Sequence, residues 1–138
     1  MDKHNHHAYF RDKETADIAD MHKKFWDNVA MKPKMGHKDL MRARADFIQE
    51  ELNELYQAIE QGDFLEQIDA LIDIVVVVKG TAVQMGIRWG DHWNEVLRAN
   101  MSKEVGQNPK RPELKHDLIK PEGWMGPDHL SVMFKGKS

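Results

Sequence analysis

Hydrophobic positions recur every three or four residues in four segments of the chain, the spacing that gathers side chains on one face of an α-helix. The first predicted helix covers about Glu14–Val29, and a proline and a glycine interrupt the pattern after it. The second covers about Lys38–Gln61 and stops at Gly62, a residue type that is common just beyond helix ends. The pattern thus predicts two helices before the middle of the chain.

The third predicted helix begins at Asp63, a favourable N-cap residue, and runs to Met85, where Gly86 ends it. Its β-branched run at positions 74–78 would also suit a strand. We favour a helix because the run lies in a long segment without Gly or Pro, and a buried helix tolerates such residues. The fourth predicted helix covers about Asp91–Lys103.

The remaining segments are predicted to lie outside these helices. Residues 1–13 are polar and rich in His, which predicts a flexible tail. Residues 104–138 contain repeated Pro and Gly, which predicts an extended tail packed on the bundle through Leu118, Trp124 and Leu130. We therefore expect one domain over residues 1–138, an all-α four-helix bundle with an extended C-terminal tail.

Composition excludes several classes of function. The net charge of the 138 residues is -3, so the chain lacks the basic character of proteins that bind nucleic-acid polymers. It has no Cys, which excludes disulfides and thiolate metal sites. The polar N-terminus does not resemble a signal peptide, and no membrane association is expected. These features favour a cytoplasmic protein.

Acidic residues form a cluster in the second predicted helix. Glu50 and Glu54 are four residues apart and share a face, with Glu51 beside them. The residues one turn after Glu51 and Glu54 are Leu55 and Ala58, where a solvated helix would usually place Lys or Arg. For this cluster alone, a solvated face and a binding site are equally good interpretations.

A second acidic face lies on the third predicted helix, where Glu66, Asp69 and Asp73 follow at spacings of three and four. Asp73 is the only charged residue between Asp69 and Lys79. An ionised carboxylate in so apolar a segment is costly unless it is paired or bound to a metal. The alternative interpretation is a set of polar residues satisfied within the core.

Together the two acidic faces favour a metal site. Two antiparallel helices would bring their carboxylates into one cleft, and hard oxygen ligands suit Mg²⁺ or Mn²⁺ better than zinc. Magnesium held by carboxylates usually also binds substrate phosphates. The pattern therefore indicates phosphate chemistry.

These motifs resemble a known family. Glu50-Glu51-x-x-Glu54 followed by Glu66-x-x-Asp69 is similar to the signature of the MazG-like all-α nucleoside triphosphate pyrophosphohydrolases. That superfamily includes all-α dUTPases and phosphoribosyl-ATP pyrophosphohydrolases. Segments 20–25, 69–87, 100–103 and 118–128 resemble its Cof-like or MazZ-like branch. Asp73 before a hydrophobic run also resembles the last acid of the signature. The second half of the signature is therefore either Glu66 with Asp69 or Asp69 with Asp73, and both alignments stay open.

The resemblance implies a helical bundle, usually a homodimer or homotetramer, with Mg²⁺ or Mn²⁺ held by the acidic motif. The implied metal ligands are Glu50, Glu54, Glu66, Asp69 and Asp73. Glu51, beside the metal-facing pair, is the favoured general base.

The resemblance also implies contacts to the substrate. The implied phosphate ligands are Asn100 and Lys103, which share a helix face. Lys103 would equally suit an ordinary cation at a helix C-terminus. His22 and Trp26 are candidates for contact with base or sugar, although core packing explains an aromatic residue at that spacing as well.

The implied activity is metal-dependent hydrolysis of a nucleoside triphosphate to its monophosphate and pyrophosphate, with a purine deoxynucleotide such as dGTP as the expected substrate. Phosphoribosyl-ATP hydrolysis and dUTPase-like activity are the alternatives within the enzyme class. A di-iron oxidoreductase bundle would need Glu-x-x-His pairs on two helices, and the second and third helices contain none. A helical metal-binding interaction module without turnover is the alternative that is not an enzyme.

Overall fold

The computed structural model describes residues 4–134, with side chains from position 6 onward. Within that range the chain is mostly helical, which confirms the all-α fold class. The helices are α1 His4–Phe10, α2 Lys13–Phe25, α3 Lys38–Glu60, α4 Phe64–Met85, α5 Trp89–Met101 and α6 His129–Phe134. Two short strands, β1 Glu104–Gly106 and β2 Asp117–Ile119, complete the secondary structure. Helices α2 to α5 correspond to the four predicted helices.

The chain divides into two compact units, one with Trp89 as its last residue and one that starts at Gly90. Because nothing in the structure tests whether these units form one domain, the single domain over residues 1–138 stays a prediction.

Helices α3 and α4 form an antiparallel pair that dominates the first unit. Gly62 adopts a left-handed backbone conformation (φ 64°) at the turn, and the Asp63 side chain accepts a hydrogen bond from the Glu66 backbone N–H. Buried Ala58 of α3 and Ala70 of α4 line the same pocket and provide small residues near the turn. Such small side chains let the two backbones approach closely, which brings the acidic faces together.

The N-terminal segment departs from its prediction as a flexible tail. Residues 4–10 form α1, and Phe10 is only 1% exposed because it packs with Ala19 of α2 and Val83 of α4. Buried Lys79 of α4 donates hydrogen bonds to Asp12 Oδ2 (3.1 Å) and Thr15 Oγ1 (3.2 Å). Burial of Phe10 and pairing of Lys79 hold the start of α2 against α4.

The second unit also departs from the predicted extended tail. Strands β1 and β2 pair antiparallel, with Val105 opposite Leu118, and α6 follows them. Of the three tail residues predicted to pack, Trp124 donates a hydrogen bond from its indole N–H to the Ala99 carbonyl (2.8 Å). Leu118 and Leu130 are exposed.

Several large apolar side chains of the first unit are exposed. On α4 they are Phe64, Leu65, Ile68, Leu71, Ile72 and Val75, and on α3 they are Leu40, Phe47, Tyr56 and Ile59. Within residues 4–134, no single helix has the length and apolar character that crossing a membrane requires; only α4 and α5 taken together would pass such a test.

Candidate active site

Three carboxylates from α3 and α4 converge at one point. Glu51 and Glu54 are three residues apart on α3 and face Asp73 on α4. One oxygen from each lies within 4.8 Å of the other two, which is close enough for all three to bind one ion. We call these three residues the acid triad. The antiparallel pairing of α3 and α4 creates it.

The acid triad is electrostatically strained. Burial raises the pKa of Glu51, and a hydrogen bond with Glu54 and the charges of Glu54 and Asp73 raise it further. Burial also raises the pKa of Asp73, and the charge of Asp69 and a hydrogen bond with it add to the shift. Each carboxylate thus disfavours ionisation of its neighbours.

One atom of the acid triad lacks a partner. Glu51 Oε2 is buried and has no hydrogen-bond donor among the residues that the structure describes. A buried acceptor left unsatisfied costs free energy, and a divalent cation would offset both this cost and the mutual repulsion. All donors of the triad are carboxylate oxygens, which fits Mg²⁺ or Mn²⁺.

A pocket of about 250 Å³ adjoins the acid triad on the side of the α3–α4 turn. Its lining residues are Glu54, Gln57, Ala58, Gln61, Glu66, Asp69 and Ala70. Glu66 and Asp69 therefore share a pocket with Glu54, and Asp69 also contacts Asp73. These two acids extend the acidic surface along α4.

The acid triad contains two of the five predicted metal ligands, Glu54 and Asp73, while Glu66 and Asp69 line the adjoining pocket. Glu51, predicted as the base, joins Glu54 and Asp73, whereas Glu50 is exposed and affects Glu51 only through its charge. The i,i+4 spacing of Glu50 and Glu54 suggested that they shared the metal-facing surface. The rotation of α3 against α4 instead turns Glu51 towards Asp73.

Arg44 is a residue of α3 that the sequence analysis missed, and it lies farther from the α3–α4 turn than the acid triad does. Arg44 of α3 donates from Nε to Thr81 Oγ1 (3.0 Å) and from Nη2 to the Val77 carbonyl (2.9 Å). Arg44 precedes Glu51 by seven residues, or about two helical turns, so the two share a face of α3. That spacing is the signal in the sequence that would have identified it.

His22 and Trp26, the predicted contacts to base or sugar, lie together at the end of α2. Their rings are 4.9 Å apart. His22 is only 3% exposed, and its Nδ1 donates to Asn28 Oδ1 (2.9 Å), because an amide oxygen can only accept. Trp26 is 58% exposed. The indole therefore presents a free aromatic surface above a fixed imidazole.

Asn100 and Lys103, the predicted phosphate ligands, belong to the second unit. Asn100 is exposed on α5, and Lys103 follows the end of that helix. The Lys103 ammonium lies 5.3 Å from the centre of the Trp124 ring, and that of Lys120 lies 5.1 Å from the same ring. These contacts give Lys103 a local partner, and its role in phosphate binding stays a prediction.

A comparison with known families matches the part of the chain that contains the acid triad. The sequence profile of the family described as phosphoribosyl-ATP pyrophosphohydrolase matches residues 18–100. The match covers most of α2, all of α3 and α4 and most of α5. No individual curated protein matches the chain at a significant level.

Proposed function

The chain belongs to the phosphoribosyl-ATP pyrophosphohydrolase family, within the MazG-like all-α superfamily, and we propose that it uses Mg²⁺ to hydrolyse a purine nucleoside triphosphate. Members of this family are nucleotide pyrophosphohydrolases, hydrolases that act on acid anhydrides. The proposed products are the nucleoside monophosphate and pyrophosphate. The Cof-like or MazZ-like assignment stays a prediction from resemblance.

The observation that carries the proposal is the convergence of Glu51, Glu54 and Asp73 with a buried oxygen on Glu51 that has no hydrogen-bond partner within residues 4–134. A solvated acidic face would spread its charges and hydrate each oxygen. A satisfied polar core would supply donors to them. A bound cation accounts more directly than either alternative for three acids within 4.8 Å of one another and for an acceptor that has no donor among the described residues.

In the proposed site, Glu54 and Asp73 bind Mg²⁺ directly and Glu51 completes the acid triad. When bound, Mg²⁺ neutralises phosphate oxygens and makes a nearby water more acidic. Glu51 accepts the proton of the attacking water at Oε2. A new bond forms from that water to phosphorus, the phosphoanhydride bond breaks, and its electrons leave with the departing phosphate oxygen.

Glu50, Glu66 and Asp69 surround the acid triad as further acidic groups. Glu66 and Asp69 line the adjoining pocket with Glu54 and are placed to bind a second divalent ion or to hold the ligands in position. Asn100 and Lys103 keep their predicted role as phosphate ligands.

The exposed indole of Trp26 supports a nucleotide substrate, because it offers a planar surface on which a base can stack beside the His22–Asn28 pair. Phosphoribosyl-ATP, a purine triphosphate, is the substrate that the family match favours. The expected preference for dGTP has no support from that match and enters the test as a second substrate.

Self-association is part of the proposal. The exposed apolar side chains of α3 and α4 are too numerous for a surface that stays in water, and a second copy of the chain would cover them. We therefore propose a homodimer or homotetramer.

The test is a panel of phosphoribosyl-ATP, dGTP, dATP and dUTP, each with Mg²⁺ and with EDTA. Pyrophosphate release is measured as phosphate formed with and without added inorganic pyrophosphatase. We expect pyrophosphate from at least one purine triphosphate with Mg²⁺ only, and loss of that activity in Asp73→Asn. Glu60→Gln, which removes an exposed acid of α3, is the matched control. Direct release of orthophosphate, or turnover that EDTA does not reduce, would contradict the proposal; Mg²⁺ binding without turnover would favour an interaction module.

A further inference from the structure

Arg44 is a half-buried cation without an acidic partner. Its guanidinium donates to Thr81 Oγ1 and to the Val77 carbonyl and lies 5.4 Å from the centre of the Phe47 ring. Among the described residues, no carboxylate oxygen comes within 4.0 Å of it. Burial without a counter-charge lowers the pKa of this guanidinium.

The hydrogen bonds of Arg44 hold the guanidinium in place but add little to the stability of α4. The Val77 carbonyl already accepts a hydrogen bond from Thr81 Oγ1 (2.9 Å), so it does not need the arginine. A neutral side chain would join α3 to α4 without the cost of burying a charge. The geometry therefore fixes a cation at a defined point, where no carboxylate of the described part of the chain neutralises it.

The position of this cation relative to the acid triad suggests its ligand. Its partners Val77 and Thr81 follow Asp73 by four and eight residues, so the guanidinium lies between one and two helical turns, roughly 6 to 12 Å, further along α4. His22 adjoins the guanidinium, because a Cβ atom at Gly80 would lie 2.6 Å from His22 Nε2 and 2.8 Å from Arg44 Nη2. Along the α3–α4 pair the acid triad therefore comes first, and Arg44 follows together with the adjoining His22–Trp26 pair.

From this order we propose that Arg44 binds the α-phosphate of the substrate. The proposal rests on the proposed function, in which Glu54 and Asp73 bind the metal and the base stacks on Trp26 beside His22; it adds that the metal lies on the distal phosphates. The phosphate closest to the sugar then lies next to the His22–Trp26 pair, at the guanidinium. A forked guanidinium binds phosphate oxygens with charge-assisted hydrogen bonds, and the unpaired cation finds its counter-charge in the ligand.

The test uses binding, which is independent of turnover. AMP and GMP carry the α-phosphate, adenosine and guanosine lack it, and pyrophosphate with Mg²⁺ represents the distal phosphates. Calorimetry on the parent should show the monophosphates binding at least about tenfold tighter than the nucleosides, as expected for hydrogen bonds to a charged group. In Arg44→Gln this ratio should fall to near one, whereas affinity for pyrophosphate with Mg²⁺ should stay within about twofold.

Two further variants separate binding from folding. Arg44→Lys keeps the positive charge but lacks the forked guanidinium. It should retain part of the preference for monophosphate over nucleoside. Thr81→Val removes the hydroxyl that accepts from Arg44 Nε but leaves the bond to the Val77 carbonyl, so it should lower the ratio only in part. If Arg44→Gln does not fold, the ratios measured on Arg44→Lys and Thr81→Val test the proposal in its place.

Several results would overturn the proposal. They are an unchanged ratio in Arg44→Gln, an equal loss of affinity for nucleoside and monophosphate, or an equal loss for monophosphate and pyrophosphate. A parent that hydrolyses a triphosphate but shows one of these results refutes the role of Arg44 alone. A parent that binds neither pyrophosphate with Mg²⁺ nor any monophosphate refutes the proposed function as well.

Discussion

Gly80 of α4 and His22 of α2 are so close that a Cβ atom at position 80 would lie 2.6 Å from His22 Nε2. The same atom would lie 2.8 Å from Arg44 Nη2. Glycine in a helix interior costs about 0.5–1 kcal/mol relative to alanine, so its presence here reflects the space that these two side chains need. The absence of a side chain at position 80 lets α2, α3 and α4 meet.

Gly80→Ala is therefore expected to destabilise the protein, although alanine is the better helix former. Displacement of His22 and Arg44 should cost about 1–3 kcal/mol, the usual range for overpacking. Urea unfolding measures the difference, and Gly126→Ala is the control because a Cβ there meets Trp124 only at 3.4 and 3.5 Å. A gain in stability for Gly80→Ala would show that the helices separate easily.

Asp73→Asn should affect stability in opposite directions with and without metal. In EDTA the variant should be at least as stable as the parent, because it removes one of several mutually repelling carboxylates. At a hundredfold excess of Mg²⁺ over its dissociation constant, the parent should gain about 2.7 kcal/mol and the variant much less. Thermal melts in both buffers measure this, with Glu60→Gln as the control. A parent whose melting temperature does not respond to Mg²⁺ would leave the acid triad without a metal.

His22 should make stability depend on pH. Burial lowers its pKa in the folded state below 6.5, the hydrogen bond to Asn28 partly opposes this, and the charge of Arg44 adds to it. Below about pH 6.5 the unfolded chain then binds more protons than the folded one at this site, so stability falls as pH falls. The slope from one such group is at most about 1.4 kcal/mol per pH unit.

Urea unfolding between pH 7 and pH 5 tests this contribution. His22→Gln should unfold more easily at pH 7 but lose less stability over that interval than the parent. His116→Gln, which removes an imidazole at an exposed site, is the control. Equal slopes for the parent and His22→Gln would mean that His22 binds protons equally in both states.

Ile72→Glu should dissociate the proposed oligomer. Ile72 is 60% exposed on α4, and a charge at the centre of a subunit interface would be left desolvated. Light scattering on the parent should give a multiple of 16.1 kDa at micromolar concentration, and the variant should give the monomer mass. Met101→Glu, on an exposed residue of α5, is the control. A parent that is already monomeric would contradict the proposal.

Lys103→Ala should weaken nucleotide binding if Lys103 is a phosphate ligand. Its effect on the free energy of unfolding should stay within about 0.5 kcal/mol, as for an ordinary surface substitution. Lys120→Ala is the matched control, because both ammonium groups lie over the Trp124 ring. If both variants lose stability alike and keep nucleotide affinity, Lys103 serves only the contact with Trp124.

Features that depend on neighbouring residues alone were predictable. Asp63 caps α4 through its side chain, and Gly86 ends that helix in a left-handed conformation (φ 66°), as the residue types indicated. Hydrophobic periodicity placed α3 and α4 within one residue of their ends. Both signals are local, because capping and helical spacing involve residues no more than a few positions apart.

The first helix shows where local signals fail. Residues 4–10 are rich in polar side chains, and an isolated segment of that composition would not be expected to order. Phe10 becomes buried because α2 and α4 supply a surface for it. Val83, one of the residues that bury Phe10, is more than seventy positions away in the chain. No local sequence pattern indicates a contact over that separation.

The acidic residues show most clearly what the sequence determines and what depends on tertiary structure. The sequence by itself determined that acids line one face of each of two helices, since spacings of three and four allow little else. Only the tertiary structure decided that Glu51, and not Glu50, joins Glu54 and Asp73. The choice depends on the rotation of α3 about its own axis. Packing against α4 sets that rotation, since residues 50 and 51 differ by about 100° around a helix and their order in the chain does not say which one faces inward.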